Sequence, residues 1–246
     1  MPTGEPLTRW QAFHVVKAGN APAEYEDAFA CNDARTRFAV ADGASEASFA
    51  SAWARLLAEG FAEGRKPWRD LDWLAPARQR WSAEVDGLEV PWYAEDKREM
   101  GAFATFLGAA FRAPYAGGRG AWRALAVGDS CLFHLRRGRL RRAFPLTRSE
   151  EFDNAPRLLC SRPSPSKSEA PVRAGGHWRV ADRFLLMTDA LAQWFLHEAE
   201  RGGDPVGQVA VLLAESDSQS AFPAWVEMRR AGGLRNDDVT LLVVDL

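Results

Sequence analysis

Five short apolar runs in this sequence each carry an aspartate at one end. Asp27 precedes AFA (28–30) and Asp42 follows RFAVA (37–41). Asp129 follows WRALAV (122–127) across Gly128, Asp189 follows FLLMT (184–188), and Asp237-Asp238 precede VTLLVV (239–244). Runs of this kind, rich in β-branched and aromatic residues, read as core strands. CNDART (31–36) supplies turn residues between the first two, so they pair as a hairpin. The start of one strand then lies beside the end of the other, and Asp27 meets Asp42. If the sheets bring the remaining ends together, four or five carboxylates converge. Each raises the pKa of its neighbours, and the cluster is strongly unfavourable without cations. An all-oxygen set lacking Cys and His suits Mg²⁺ or Mn²⁺ and argues against zinc. Taken singly, an aspartate at a strand end is more often a turn or cap residue. Asp33, Asp153 and Asp217 are read that way.

The rest of the chain supplies helices between the strands. Phe49, Trp53, Leu56, Leu57 and Phe61 fall on one helical face, with Ser45 as the N-cap and Glu46 in the first turn. WLAPARQRWSAEV (73–85) is helical in pattern within a Trp-, Leu- and charge-rich stretch from Pro67 to Arg98. FATFLGAAF (103–111) is a further strand, and CLFHLRRGRLRRAF (131–144) a hairpin turning near Gly138. WRVADRFLLMTDAL (178–191) reads as strand, and 204–215 and 222–231 as helices. SRPSPSKSEAP (161–171) is a mobile loop, since core-like sequence resumes after it. Hairpins with inserted helices indicate an α+β fold.

Composition excludes several classes. The 246 residues are 47% hydrophobic and 26% charged, as for one large soluble domain. A net charge of −2 gives no pull toward nucleic acid or an anionic membrane. No apolar run approaches the roughly 20 residues of a transmembrane helix, and MPTGEPLTRW is not a signal peptide. Three widely spaced cysteines, Cys31, Cys131 and Cys160, form no framework and fit the cytoplasm. The four histidines have no ligand spacing. RRGRLRR (136–142) reads as a solvated hairpin tip, with phosphopeptide docking as its functional alternative.

In order, YEDAF, RFAVADG, ATFLGAAF, ALAVGDSCLFHLRRGRL, DRFLLMTDAL and NDDVTLLVV resemble the metal-dependent protein phosphatases of type 2C, the PPM family. The resemblance runs from about residue 14 to residue 246. It implies one domain over 1–246: a four-layer α-β-β-α sandwich with two antiparallel sheets and a two-metal centre at one edge. It also implies hydrolysis of phosphoserine and phosphothreonine in proteins by a metal-bridging hydroxide, with two Mn²⁺ or Mg²⁺ ions. Asp27 matches the first ligating aspartate, Asp42 the bridging one, and Gly43 the glycine offering its carbonyl. Asp189 matches the ligand of the family's SDG motif and Asp237 the last ligand. Asp129 matches an aspartate that helps hold a third ion.

The departures are specific. Pro22 stands where the family has a phosphate-clamping Arg, and Lys17 is the nearby candidate replacement, though a point charge is not a bidentate clamp. Gln193 stands where a second aspartate for a third metal is usual, which leaves a third metal doubtful. Asp238 occupies an Asn position and is an alternative ligand or supporting group; Glu46 is a second such candidate. Three readings stay open: a cytoplasmic, monomeric phosphatase acting on the products of a serine/threonine kinase, a pseudophosphatase that binds phosphoproteins, and a hydrolase of small phosphate esters.

Overall fold

The computed structural model describes residues 7–44, 49–69, 71–89, 92–114, 119–153, 155–162 and 170–246. In chain order the elements are β1 (Arg9–Val15), β2 (Ala28–Cys31), β3 (Arg37–Gly43), α1 (Ala50–Glu63), α2 (Leu74–Val85) and α3 (Trp92–Met100). Then come β4 (Phe103–Arg112), β5 (Gly120–Val127), β6 (Cys131–Arg136), β7 (Arg139–Phe144), β8 (Leu159–Cys160), β9 (Val172–Trp178) and β10 (Asp182–Met187). The chain closes with α4 (Asp189–Glu200), α5 (Pro205–Leu213), α6 (Ser218–Ala231) and β11 (Val239–Asp245).

The strands form two antiparallel sheets. One has the order β1-β11-β10-β6-β7; the other has β2-β3-β4-β5-β9, with β8 added on β4. Strand alternation sends successive side chains to opposite faces. On β3, Phe38 and Val40 enter the core between the sheets, where Phe111, Trp122 and Phe184 pack edge to face. Ala39 and Ala41 face the other way, against Trp53, Leu57 and Phe61 of α1 and Trp81 of α2. The outer face of the first sheet packs Phe133, Leu185 and Leu241 against α4, α5 and α6. Three apolar layers between four structural layers give the α-β-β-α sandwich.

The sequence readings meet three differences. WRVADRFLLMTDAL is not one strand: Trp178 ends β9 in the second sheet, Asp182 starts β10 in the first, and Asp189 opens α4. The chain crosses between sheets at Arg179–Ala181, where Ala181 has φ 68°. The 67–98 region holds two helices, α2 and α3. In α1 the position before the first helical residue is Phe49, with φ 69°; Ser45 and Glu46 lie outside the described residues, as does 163–169 of the predicted loop.

The crossing is held by a buried ionic network. Asp182, 1% exposed, accepts from Arg136 Nε at 2.7 Å and Arg136 Nη2 at 2.6 Å. It also accepts from His134 Nε2 at 2.8 Å and the Arg179 amide at 2.9 Å. Burial alone raises the Asp182 pKa, but these donors hold it down at about 2. His134 in turn stacks on Phe184, with centroids 4.3 Å apart. Asp182→Ala leaves these donors without their acceptor and should cost about 3–5 kcal/mol, read as a lower denaturation midpoint with an unchanged m-value. A loss below about 0.5 kcal/mol, the range of an ordinary surface substitution, would contradict this role.

Candidate active site

The register brings the aspartates to one edge. Ala28 pairs with Ala41, so Asp27 and Asp42 are the next facing positions at the open end of the β2–β3 hairpin. Asp42 itself pairs with Thr105 of β4. From the other sheet, Met187 pairs with Leu241 and Cys131, which places Asp189, Asp237 and Asp129 just beyond that same edge. Asp129 lies in the crossing from β5 to β6. This crossing is fixed by Gly128 at φ 97°, where a Cβ would stand 2.6 Å from Thr105 Cβ, and by a 2.9 Å contact between the Thr105 and Ser130 hydroxyls. Gly43 is required for a different reason: a Cβ there would meet the Glu26 carbonyl at 2.8 Å.

The side chains are held in distinct ways. Asp27, 4% exposed, accepts through Oδ2 from Thr240 Oγ1 at 2.6 Å and Thr188 Oγ1 at 3.0 Å. Thr188 Oγ1 accepts the Thr240 amide at 3.0 Å, and Tyr25 Oη is hydrogen-bonded to Thr240 Oγ1. Among the described residues the other oxygen, Asp27 Oδ1, is buried without a hydrogen-bond partner, as is Asp129 Oδ1. Asp189 Oδ1 accepts from the Ala190 amide at 2.5 Å, and Asp237 Oδ1 from the Asp238 amide at 3.0 Å.

Electrostatics register the convergence. Burial and the charges of Asp27, Asp189, Asp129 and Asp237 push Asp42 well above the usual carboxylate range. Burial, with Asp238 and Asp189, does the same to Asp27. Asp189 is also raised, by burial first and Asp237 next, against the pull of Arg235. Asp129 is pushed up to about 7 by burial and Asp189.

Asp238 is held by main-chain amides. Its Oδ1 accepts the Lys17 amide at 2.7 Å and its Oδ2 the Glu26 amide at 2.7 Å. It thereby clamps both ends of the segment before β2 and sets the position of Asp27. A carboxylate takes two amide protons where a carboxamide takes one. Asp238→Asn should lose about 1–3 kcal/mol through one unsatisfied amide; an unchanged unfolding midpoint would show that the clamp is dispensable. Lys17 enters through this main-chain amide, and among the described residues its ammonium makes no ion pair. Pro22 opens a 3-10 turn at Pro22–Glu24.

Arg235 was not among the residues the sequence reading selected. Its guanidinium pairs with Asp189 Oδ2 and lies 3.3 Å from Asp237 Oδ2. Arg230 supports the same loop, donating to the Asp237 carbonyl at 2.6 Å. The available signal was a cation two residues before an expected ligand. The charges of Asp189, Asp237 and Asp129 all act on this guanidinium.

The donor set fits hard divalent cations. It is all oxygen, and two buried carboxylate oxygens lack any donor, a costly state that a cation relieves. Among the described residues no three His, Cys, Asp or Glu side chains close on a common point as a formed ligand shell.

A family model described as Protein phosphatase 2C matches residues 21–227. The chain belongs to the protein phosphatase 2C family. The matched span contains Asp27, Asp42, Asp129 and Asp189 and stops before Asp237. Solved structures share the phosphatase 2C sandwich. One is the catalytic domain of the serine/threonine phosphatase PstP in complex with two manganese ions, with 20% identity, 97% of each chain covered and TM-score 0.61. Another is the Mycobacterium tuberculosis PstP/Ppp, with 20% identity, 97% of this chain and 98% of that one covered, and TM-score 0.63. PppA, described as a key regulatory component of T6SS in Pseudomonas aeruginosa, has 22% identity, 97% of each chain covered and TM-score 0.57. No curated protein sequence matches this chain.

Proposed function

We propose that this phosphatase 2C member hydrolyses phosphoserine and phosphothreonine in proteins with two Mn²⁺ or Mg²⁺ ions. The observation that carries the reading is the meeting of Asp27, Asp42, Asp129, Asp189 and Asp237 at one edge, with two buried oxygens left without donors. Asp27, Asp42, Asp189, Asp237 and the Gly43 carbonyl would hold the cations, with Asp129 alongside. When bound, such ions polarise phosphoryl oxygens and make a water acidic enough to attack near neutral pH. The chain's own residues supply the frame. Thr188, Thr240 and Tyr25 fix the Asp27 carboxylate, strand β3 fixes Asp42, and Asp238 holds the preceding loop.

Arg235 takes the place of the missing clamp in this proposal. It is a planar donor beside the carboxylates, suited to phosphoryl oxygens as a lysine ammonium is not. In Arg235→Ala, KM for a phosphothreonine peptide should rise roughly 10- to 100-fold, the value of a charged hydrogen bond. Mn²⁺ binding, read by calorimetry, should tighten, because no guanidinium pairs with Asp189 and Asp237. Weakening of both would assign Arg235 a purely structural role.

In this proposal residues 1–246 form one domain that acts as a monomer on products of a serine/threonine kinase. Among the described residues no helix is long and apolar enough to cross a membrane, and cytoplasmic action fits the absence of paired cysteine spacing. The second reading is a phosphoprotein-binding module without turnover. It is favoured by Pro22 at the clamp position and by Arg235 on two of the ligands. Hydrolysis of a phosphothreonine peptide and of p-nitrophenyl phosphate, each with and without Mn²⁺, separates the readings. Mn²⁺-dependent turnover preferring the peptide supports the proposal. Turnover of the small ester alone, or of neither by folded protein, refutes it.

A further inference from the structure

A second charged site lies at the other end of the same sheet. By strand alternation Arg37 of β3 shares the helix-facing side with Ala39 and Ala41, as Arg112 does on β4 and Arg123 on β5. The Arg37 guanidinium donates to the Gly64 carbonyl just past the end of α1. Beyond it, Lys66, Trp68, Arg112, Trp122 and Arg123 join Arg37 around a cavity of about 470 Å³. Asp42 is five residues along β3 from Arg37, roughly 17 Å away at the rise of an extended strand. The two sites are therefore separate.

The charge of this cavity is one-sided. Four cationic side chains line it, and among the described residues no carboxylate does. Arg37 Nε is buried without a hydrogen-bond partner among the described residues, and burial alone lowers the Arg37 pKa. Arg123 and Lys66 make no ion pair among the described residues. Arg37, Lys66 and Arg123, which make no ion pair among the described residues, favour an anion. A phosphomonoester carries about two negative charges at neutral pH, fewer than the three positive charges of Arg37, Lys66 and Arg123, so a polyphosphate matches better. The volume falls in the range of about 300–1,000 Å³ for small-molecule sites. Half-buried Trp68 offers an apolar planar surface at the same cavity.

We propose that this cavity binds a nucleoside polyphosphate, with phosphates on Arg37, Lys66 and Arg123 and the base against Trp68. The test is calorimetric titration of the full chain, dialysed against EDTA, with ATP and with pyrophosphate. Without cations the aspartate cluster repels both ligands, so binding reports the basic cavity. ATP is expected to bind, at least threefold tighter than pyrophosphate, with affinity falling as salt is raised. Arg123→Glu, on an exposed strand position, is expected to weaken ATP at least tenfold, and Trp68→Ala to remove the preference for ATP. Lys66→Glu replaces Arg123→Glu should that variant unfold. No heat with ATP, equal affinity for pyrophosphate, or full affinity in the folded glutamate variants overturns the assignment.

Discussion

Asp42→Asn is expected to reduce metal-dependent phosphopeptide turnover by on the order of 10³-fold or more, while making the metal-free protein more stable. Both effects have one origin. Asp42 is raised well above its ordinary pKa by burial and by Asp27, Asp189, Asp129 and Asp237, so folding penalises its ionisation when no cation is bound. Asparagine has nearly the same shape and no charge. It relieves the repulsion but is a poor ligand for a hard cation. A gain of about 1–2 kcal/mol is the usual size for correcting such a strained functional site, and corresponds to roughly 2–8 °C for a chain of this length. Thermal scans in EDTA check the first effect and peptide kinetics the second. A melting temperature that stays the same or falls would mean that the carboxylates are not in conflict in the folded state.

The metal-free protein should also lose stability between about pH 4 and pH 7 and regain it when Mn²⁺ is added. Asp129 has a folded pKa of about 7, above the roughly 3.9 of an unfolded aspartate. Between these values the folded state keeps a proton that the unfolded state has released. Stability then falls as pH rises, by up to about 4 kcal/mol from this group at 1.36 kcal/mol per pKa unit. Raised values for Asp27, Asp42 and Asp189 act in the same direction. Asp182 acts oppositely: its depressed value near 2 supports the fold above pH 4 and fails as pH drops toward 2. Thermal scans in EDTA should place the optimum near pH 4–5, and Mn²⁺ at pH 8 should raise the melting temperature by binding only the folded site. A flat profile from pH 5 to 8 would contradict the electrostatic account.

What the sequence displayed depended on how each feature was encoded. The juxtaposition of Asp27 and Asp42 follows from two apolar runs and a turn at Asn32, whose Oδ1 accepts the Thr36 and Arg37 amides, both at 2.8 Å. Strands β4, β5 and β11 are buried along most of their length and read as largely apolar runs. Helix α4 was hidden because Asp189 follows β10 after one residue and Ala190, Leu191, Ala192, Trp194, Phe195 and Leu196 are all buried. These residues continue the apolar run of β10, and the polar side of the helix is marked before His197 by Gln193 alone. Strands β1 and β9 lie at sheet edges, with exposed polar positions that dilute their pattern. Asp217 was legible as a cap, and its Oδ1 accepts the Ser220 amide at 3.1 Å. Arg235 was not, because only tertiary folding places its loop over Asp189. A supporting role for Asp238 was one of its two readings from the sequence, but its partners, the Lys17 and Glu26 main-chain amides, are announced by no side-chain pattern.

The most direct test is anomalous diffraction from crystals of the protein soaked in Mn²⁺. The account predicts two adjacent manganese peaks among Asp27, Asp42, Asp189 and Asp237, with Asp42 touching both and Arg235 moved off Asp189. No peak among these residues at saturating Mn²⁺, with Arg235 still bridging Asp189 and Asp237, would contradict it.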